Sequence, residues 1–120
     1  MVGCGNMGSA LLARWVNLEG LSFTIVDPAA SFADPRVEIF ASADELPGAP
    51  YDMLIVAVKP QMIDDLIPAY RDIIRPGAPL LSIAAGVSGD RLAAAAGDRP
   101  IIRVMPNLPA KIGKGVSGLW

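Results

Sequence analysis

The chain has 120 residues, 52% of them hydrophobic, a formal net charge of −2 and no histidine, which suits one globular domain and gives no general attraction for nucleic acid or an anionic membrane. Without histidine, this stretch cannot use histidine acid–base chemistry, a histidine zinc site, or a Ser-His or Cys-His nucleophile, and no metal is expected. No apolar run nears the ~18 residues of a membrane span, no basic leader with a cleavage site stands at the start, and the lone Cys4 suits a reducing compartment, so the expectation is a cytoplasmic protein.

The first eight residues contain Gly3-Cys4-Gly5-Asn6-Met7-Gly8, the pattern G-x-G-x-x-G, and run into an apolar helical pattern. A pyrophosphate needs backbone N–H groups at close range. Gly3 suits the tight turn, Gly5 leaves room for the phosphates, and Gly8 allows a helix to pack close to a sheet. A first strand should precede the glycines, yet only Met1 and Val2 do; the expectation is that residues are missing upstream or that Met1 is not the natural start. The first helix is expected from about Asn6 to Glu19, with Met7, Leu11, Trp15 and Leu18 on its buried face and Gly20 as its C′ residue. Cys4, between the glycines, reads as a small apolar filler.

A strand over about residues 22–26 ends at Asp27, about twenty residues past the last glycine, where a carboxylate can bind ribose hydroxyls. Residues 37–40 read as a short third strand, too close behind for a full helix between them. Ser42 to Glu45 is a capping-box pattern and predicts one short helical turn. The apolar run Met53 to Val58 predicts a strand buried on both faces, broken at Lys59-Pro60-Gln61, with Pro60 in the first turn of the next helix. That helix carries Ile63, Leu66, Ile67, Tyr70, Ile73 and Ile74 on one stripe, and Pro68 should kink or split it. Strands follow at about 79–83 and 101–105. Between them Ser88 caps a helix that Gly97 closes, and residues 115–120 are expected to begin another strand. Alternating strands and helices imply an α/β, Rossmann-like, mostly parallel sheet with helices on both faces. Its ligand crevice should lie at the carboxyl ends of the strands. There is no repeat, linker or low-complexity segment.

Four stretches together resemble the pyrroline-5-carboxylate reductase family. They are Gly3 to Leu11, Val58-Lys59-Pro60-Gln61, Ser82-Ile83-Ala84-Ala85-Gly86, and Arg103 to Pro109 with Gly113 and Gly115 beyond. The resemblance implies reduction of 1-pyrroline-5-carboxylate to L-proline, the last step of proline biosynthesis, by an NAD(P)H-dependent oxidoreductase acting on C=N. It also implies that residues 1–120 are the dinucleotide-binding domain, that the family's C-terminal helical dimerisation domain lies outside this chain, and that the protein is a homo-oligomer when that domain is present. The glycine loop (Gly3, Cys4, Gly5, Asn6, Met7, Gly8) would hold the pyrophosphate. Ala57, Val58, Lys59, Pro60 and Ala85 would run along the cofactor, and Met105, Pro106 and Asn107 would shape the substrate pocket. No catalytic acid is named, and Lys111 and Lys114 are read as solvated rather than as substrate ligands. Asp27 departs from the family, whose members often carry polar or basic residues there for NADPH; a carboxylate repels the 2′-phosphate, and Arg36 is the nearest cation in sequence, so NADH is favoured. Two other readings stay open: another imine or β-hydroxyacid reductase on the same cofactor domain, or a non-catalytic nucleotide-binding module.

Overall fold

The structure, a computed structural model, describes residues 1–48 and 50–120; the side chains of Leu108 and Lys111, and with Lys111 its expected place in solvent, lie outside the described residues. Five short strands, β1 (Phe23–Val26), β2 (Val37–Phe40), β3 (Leu54–Val56), β4 (Leu80–Ser82) and β5 (Ile101–Met105), run parallel to their neighbours, and β6 (Gly118–Leu119) adds antiparallel to β5. Val2 bridges β1 and β3 in parallel, so the order across the sheet is β2, β1, the Met1–Gly3 segment, β3, β4, β5, β6. This is the doubly wound arrangement, with the chain reversing direction of travel across the sheet beside the glycine turn.

Side chains alternate across each strand, and helices cover both faces. On one face α1 (Asn6–Trp15) presses Leu12 against Ile25 and Val37, with Phe23, Phe32 and Val16 packed around them. On the other, Val2, Val26, Leu54, Val56 and Leu80 meet Ile63, Ile67 and Tyr70, and Leu92, Ala95 and Ala96 of α3 (Gly89–Ala96). Ser88 Oγ accepts from Arg91 N at 3.2 Å and caps α3, and Gly97 ends it at φ +83°. Pro68 splits the preceding helix: four residues of α2 (Ile63–Leu66) pass into a 3-10 turn at Ile67–Tyr70. Arg71 then reaches over to the carbonyls of Ala94 and Ala95 and so closes the open end of α3.

The first helix departs from its expected form. It stops at Trp15, not Glu19, and its buried residues are Gly8 and Leu12 rather than the expected stripe. Leu18 is 52% exposed. The apolar residues at 11, 12, 15, 16 and 18 support two overlapping stripes, and Gly8, the residue able to approach the sheet, selects the one through Leu12. Arg36 donates to Val16 O at 2.9 Å and takes up a carbonyl at the helix end. Gly20 has φ +77° but belongs to the turn before β1, not to the helix cap. Two strands are shorter than expected: Met53 is 40% exposed and precedes β3, and β6 takes only Gly118–Leu119 of the last stretch, with Trp120 and Arg103 exchanging backbone hydrogen bonds at 2.8 and 3.1 Å beside it. Ser42 makes no capping bond, and Glu45 Oε2 accepts from Ala41 N at 2.9 Å, one residue before the N-cap, so the short turn forms without the expected capping box. No helix is long and apolar enough to cross a membrane, among the described residues.

The choice of stripe is testable. Leu12→Ala should cost about 2–5 kcal/mol in urea unfolding, and Leu11→Ala well under half as much; equal losses would restore the stripe through Leu11.

Candidate cofactor-binding site

Gly3 sits at φ +80°, and a Cβ there would lie 2.8 Å from Ala57 O and 2.8 Å from Val58 Cγ1. Both the backbone conformation and the space exclude a side chain. At Gly8 a Cβ would come within 3.1 Å of Ala57 Cβ, so α1 rests against the end of β3. Gly5 differs: a Cβ there would meet nothing within 4 Å. The protein itself does not require that glycine, and the space in front of it is open.

Gly5 is the N-cap of α1, no side chain caps the helix, and its first turn carries no acidic residue. The first intrahelical bond runs from Ser9 N to Gly5 O, which leaves the preceding N–H groups, those of Asn6, Met7 and Gly8, without helical partners. Ten residues of aligned peptide dipole end there in a partial positive charge. An anion is what this end lacks, and a pyrophosphate fits it.

Asp27 anchors the loop. Its Oδ2 accepts from Cys4 N at 2.7 Å and its Oδ1 from Ala29 N at 2.9 Å. The carboxylate thus fixes the glycine turn to the end of β1, and each oxygen keeps a further lone pair for a ligand hydroxyl. Cys4 is half-buried; burial first, and then the Asp27 carboxylate, hold its thiol above its ordinary pKa. It is a neutral thiol at pH 7, not a nucleophile.

Beside this loop lies a cavity of about 550 Å³, within the range of small-molecule sites. The structure brings Gly3, Gly5, Asp27, Ala57, Val58 and Lys59 onto its wall. It also supplies two walls that the sequence reading missed. One is Ala41 to Asp44, after β2; the other is Met62, Asp65, Leu66, Ala69 and Tyr70, along α2 and the turn beyond. Position alone could have found the first, because a loop after a parallel strand falls on the carboxyl edge. The second was hidden because Leu66 and Tyr70 sit on the core stripe. Among the described residues Lys59, exposed, is the one cation of the lining, against Asp27, Asp44 and Asp65. Arg36 is turned away, bound to Asp34 at 2.6 Å and to the end of α1. Arg91 holds Asp64 at 2.8 Å and also donates to Pro60 O at 3.1 Å, which fixes the Lys59–Pro60 corner against α3.

Pro60, Ala85, Met105, Pro106 and Asn107 do not line this cavity. Ala85 follows β4 and Met105 to Asn107 end or follow β5, so they continue the same carboxyl edge beyond it. Asn107 Oδ1 accepts from Val116 N at 3.0 Å and closes the loop that returns to β6. Among the described residues no three metal-ligating side chains cluster.

Residues 1–86 match the family model described as "NADP oxidoreductase coenzyme F420-dependent". The chain belongs to that family. Its members are NAD(P)-dependent oxidoreductases. It is 33% identical over 130 residues to a pyrroline-5-carboxylate reductase of Pseudomonas aeruginosa, covering 99% of this chain and 46% of the relative. The solved reductase of Coxiella burnetii shares the fold, with a TM-score of 0.81 at 23% identity over 98% of this chain and 47% of that one. A Plasmodium falciparum pyrroline carboxylate reductase solved with NADP bound gives a TM-score of 0.71 at 25% identity, over 99% of this chain and 45% of that one. The chain spans about half the length of the relatives it matches.

The two glycines at the ends of the turn should separate in a mutant pair. Gly3→Ala should lose most of its stability, by several kcal/mol. Gly5→Val should melt within a few degrees of the parent and lose NADH binding by at least about tenfold in a fluorescence titration. Full NADH affinity in a folded Gly5→Val protein would remove the helix end as the phosphate site.

Proposed function

We propose that this chain is the cofactor domain of a pyrroline-5-carboxylate reductase, reducing the C=N bond of 1-pyrroline-5-carboxylate to give L-proline in the cytoplasm. The observation that supports this reading best is the uncapped, acid-free end of α1 behind an open Gly5, in a chain 33% identical to a reductase of that name. When bound, a reduced nicotinamide supplies the hydride. The chain's own part is to hold and orient. The N–H groups at the start of α1 take the pyrophosphate, Asp27 keeps their loop in place, and the cavity between Asp44 and Tyr70 takes the adenosine half. Ala57, Val58, Lys59 and Pro60 guide the other half along the carboxyl edge toward Ala85. Met105, Pro106 and Asn107 flank the substrate there, and the turn closed by Asn107 and Val116 shapes that end. No residue of this stretch is assigned as catalytic acid.

The relatives' remaining length supplies the second domain in this reading, completes the substrate pocket and makes the oligomer. The preferred cofactor is NADH. Three aspartates and one lysine line the cavity, Asp27 lies where the adenosine ribose would sit, and Arg36 is bound elsewhere. That lining opposes a 2′-phosphate, which sets this chain apart from the NADP of its family's description.

The expected result is binding of NADH at least about tenfold tighter than NADPH, the size of one or two unfavourable charge contacts near a surface. Asp44→Asn should narrow that gap. In the protein at the length its source makes it, adding pyrroline-5-carboxylate should consume NADH. A folded protein that binds NADH and turns over none of this substrate would overturn the proline assignment, and equal affinity for the two cofactors would overturn the NADH preference.

A further inference from the structure

Tyr70 belongs to two places at once. It is 5% exposed and packs in the larger core beside Ile67 and Ile74, and it also lines the cavity. Among the described residues its hydroxyl has no hydrogen-bond partner, and no sealed side-chain oxygen lacks one. The open space that Tyr70 lines is the cavity. Asp44, which lines the same cavity, is the charge that acts on it: burial first, and then Asp44, push the phenol upward. At neutral pH it is a donor that keeps its proton.

The surfaces around it are apolar. Val26, Met62, Leu66 and Ala69 line the same cavity. A flat ring can bury both faces against such walls, but its edge nitrogens then lose water and need a donor. Among the lining side chains that are buried, Tyr70 is the one that carries a hydrogen-bonding group. The carboxylates of Asp27 and Asp44 are acceptors and suit hydroxyls instead.

We propose that the Tyr70 hydroxyl reads the base of the bound nucleotide, donating a hydrogen bond to an unprotonated ring nitrogen of a purine at the inner end of this cavity. The inference rests on the dinucleotide reading above and adds to it the residue that selects the base. Tyr70 touches the ligand at a distance from the reacting half, so it governs affinity and not the chemical step.

Tyr70→Phe keeps the ring that the core needs and removes only the donor. Adenosine monophosphate and nicotinamide mononucleotide, each with one phosphate, serve as probes of the two halves and are titrated by calorimetry into parent and variant. The expected result is a three- to tenfold loss of affinity for adenosine monophosphate and for NADH, no change for nicotinamide mononucleotide, and a melting temperature within a few degrees. An unchanged affinity for adenosine monophosphate would overturn the inference and return Tyr70 to a purely structural role. Equal weakening of both mononucleotides would overturn it too, because it would reflect a loosened domain. A parent protein that binds neither NADH nor adenosine monophosphate would instead overturn the cofactor reading itself, before the variant is considered.

Discussion

The rest of the molecule depends on how closely the backbone at Gly3 passes the backbone at Ala57. A side chain at Gly3 would lie 2.8 Å from the Ala57 carbonyl oxygen, so only glycine lets the first segment run between β1 and β3. The segment is then held to both, by Val2 N to Ile55 O and Ala57 N to Val2 O, each at 2.8 Å, on the β3 side, and by Val26 N to Met1 O at 2.8 Å and Gly3 N to Val26 O at 3.0 Å on the β1 side. That short segment joins two sheets that otherwise share no strand. The same approach brings Gly8 against Ala57 and aims the start of α1 along the carboxyl edge. Fold and anion site thus follow from one steric fact.

Much of this was legible in the residues. Punctuation carried the furthest: Pro60 opened a helical turn, Pro68 split a helix, Ser88 and Gly97 bounded α3, and the alternation of strands and helices gave the parallel sheet. These signals are local, because a proline or a capping serine acts on its own backbone. The failures came where distant parts compete. The face of α1 was ambiguous between Leu11 and Leu12, and the contact of Gly8 with β3 decided it. The span from Met53 to Val58 is uniformly apolar, but a strand lasts only as long as its neighbours offer partners. Arg36, the cation nearest to Asp27 in sequence, was not assigned to the cofactor, and it is committed to Asp34 and the end of α1.

The site was half legible. Glycines and Asp27 announce themselves through spacing, since a phosphate loop needs them at fixed places. The walls opposite do not. Asp44 and Tyr70 lie far apart in sequence, and nothing in either local pattern marks a cavity. Tyr70 in particular fits an apolar stripe, and burial alone would explain it, yet it also lines the cavity. Asp27 shows the reverse: the spacing singles out a carboxylate for a ligand, and the structure shows it also tying Cys4 and Ala29 to the strand end.

The two faces of the sheet are unequally filled. Leu12, Ile25 and Val37 are the buried centre of one side, while the other gathers residues from four strands, α2 and α3. A unit with so few sealed apolar side chains is the one that opens first in local fluctuations. The α1–β1–β2 half is that unit, and it contributes Gly5, Asp27 and Asp44 to a cavity whose other wall belongs to the better-packed half. Any molecule bound across both halves must close the looser onto the firmer, so occupancy and rigidity rise together. In this architecture the ligand acts as a staple between two folding units of different stability.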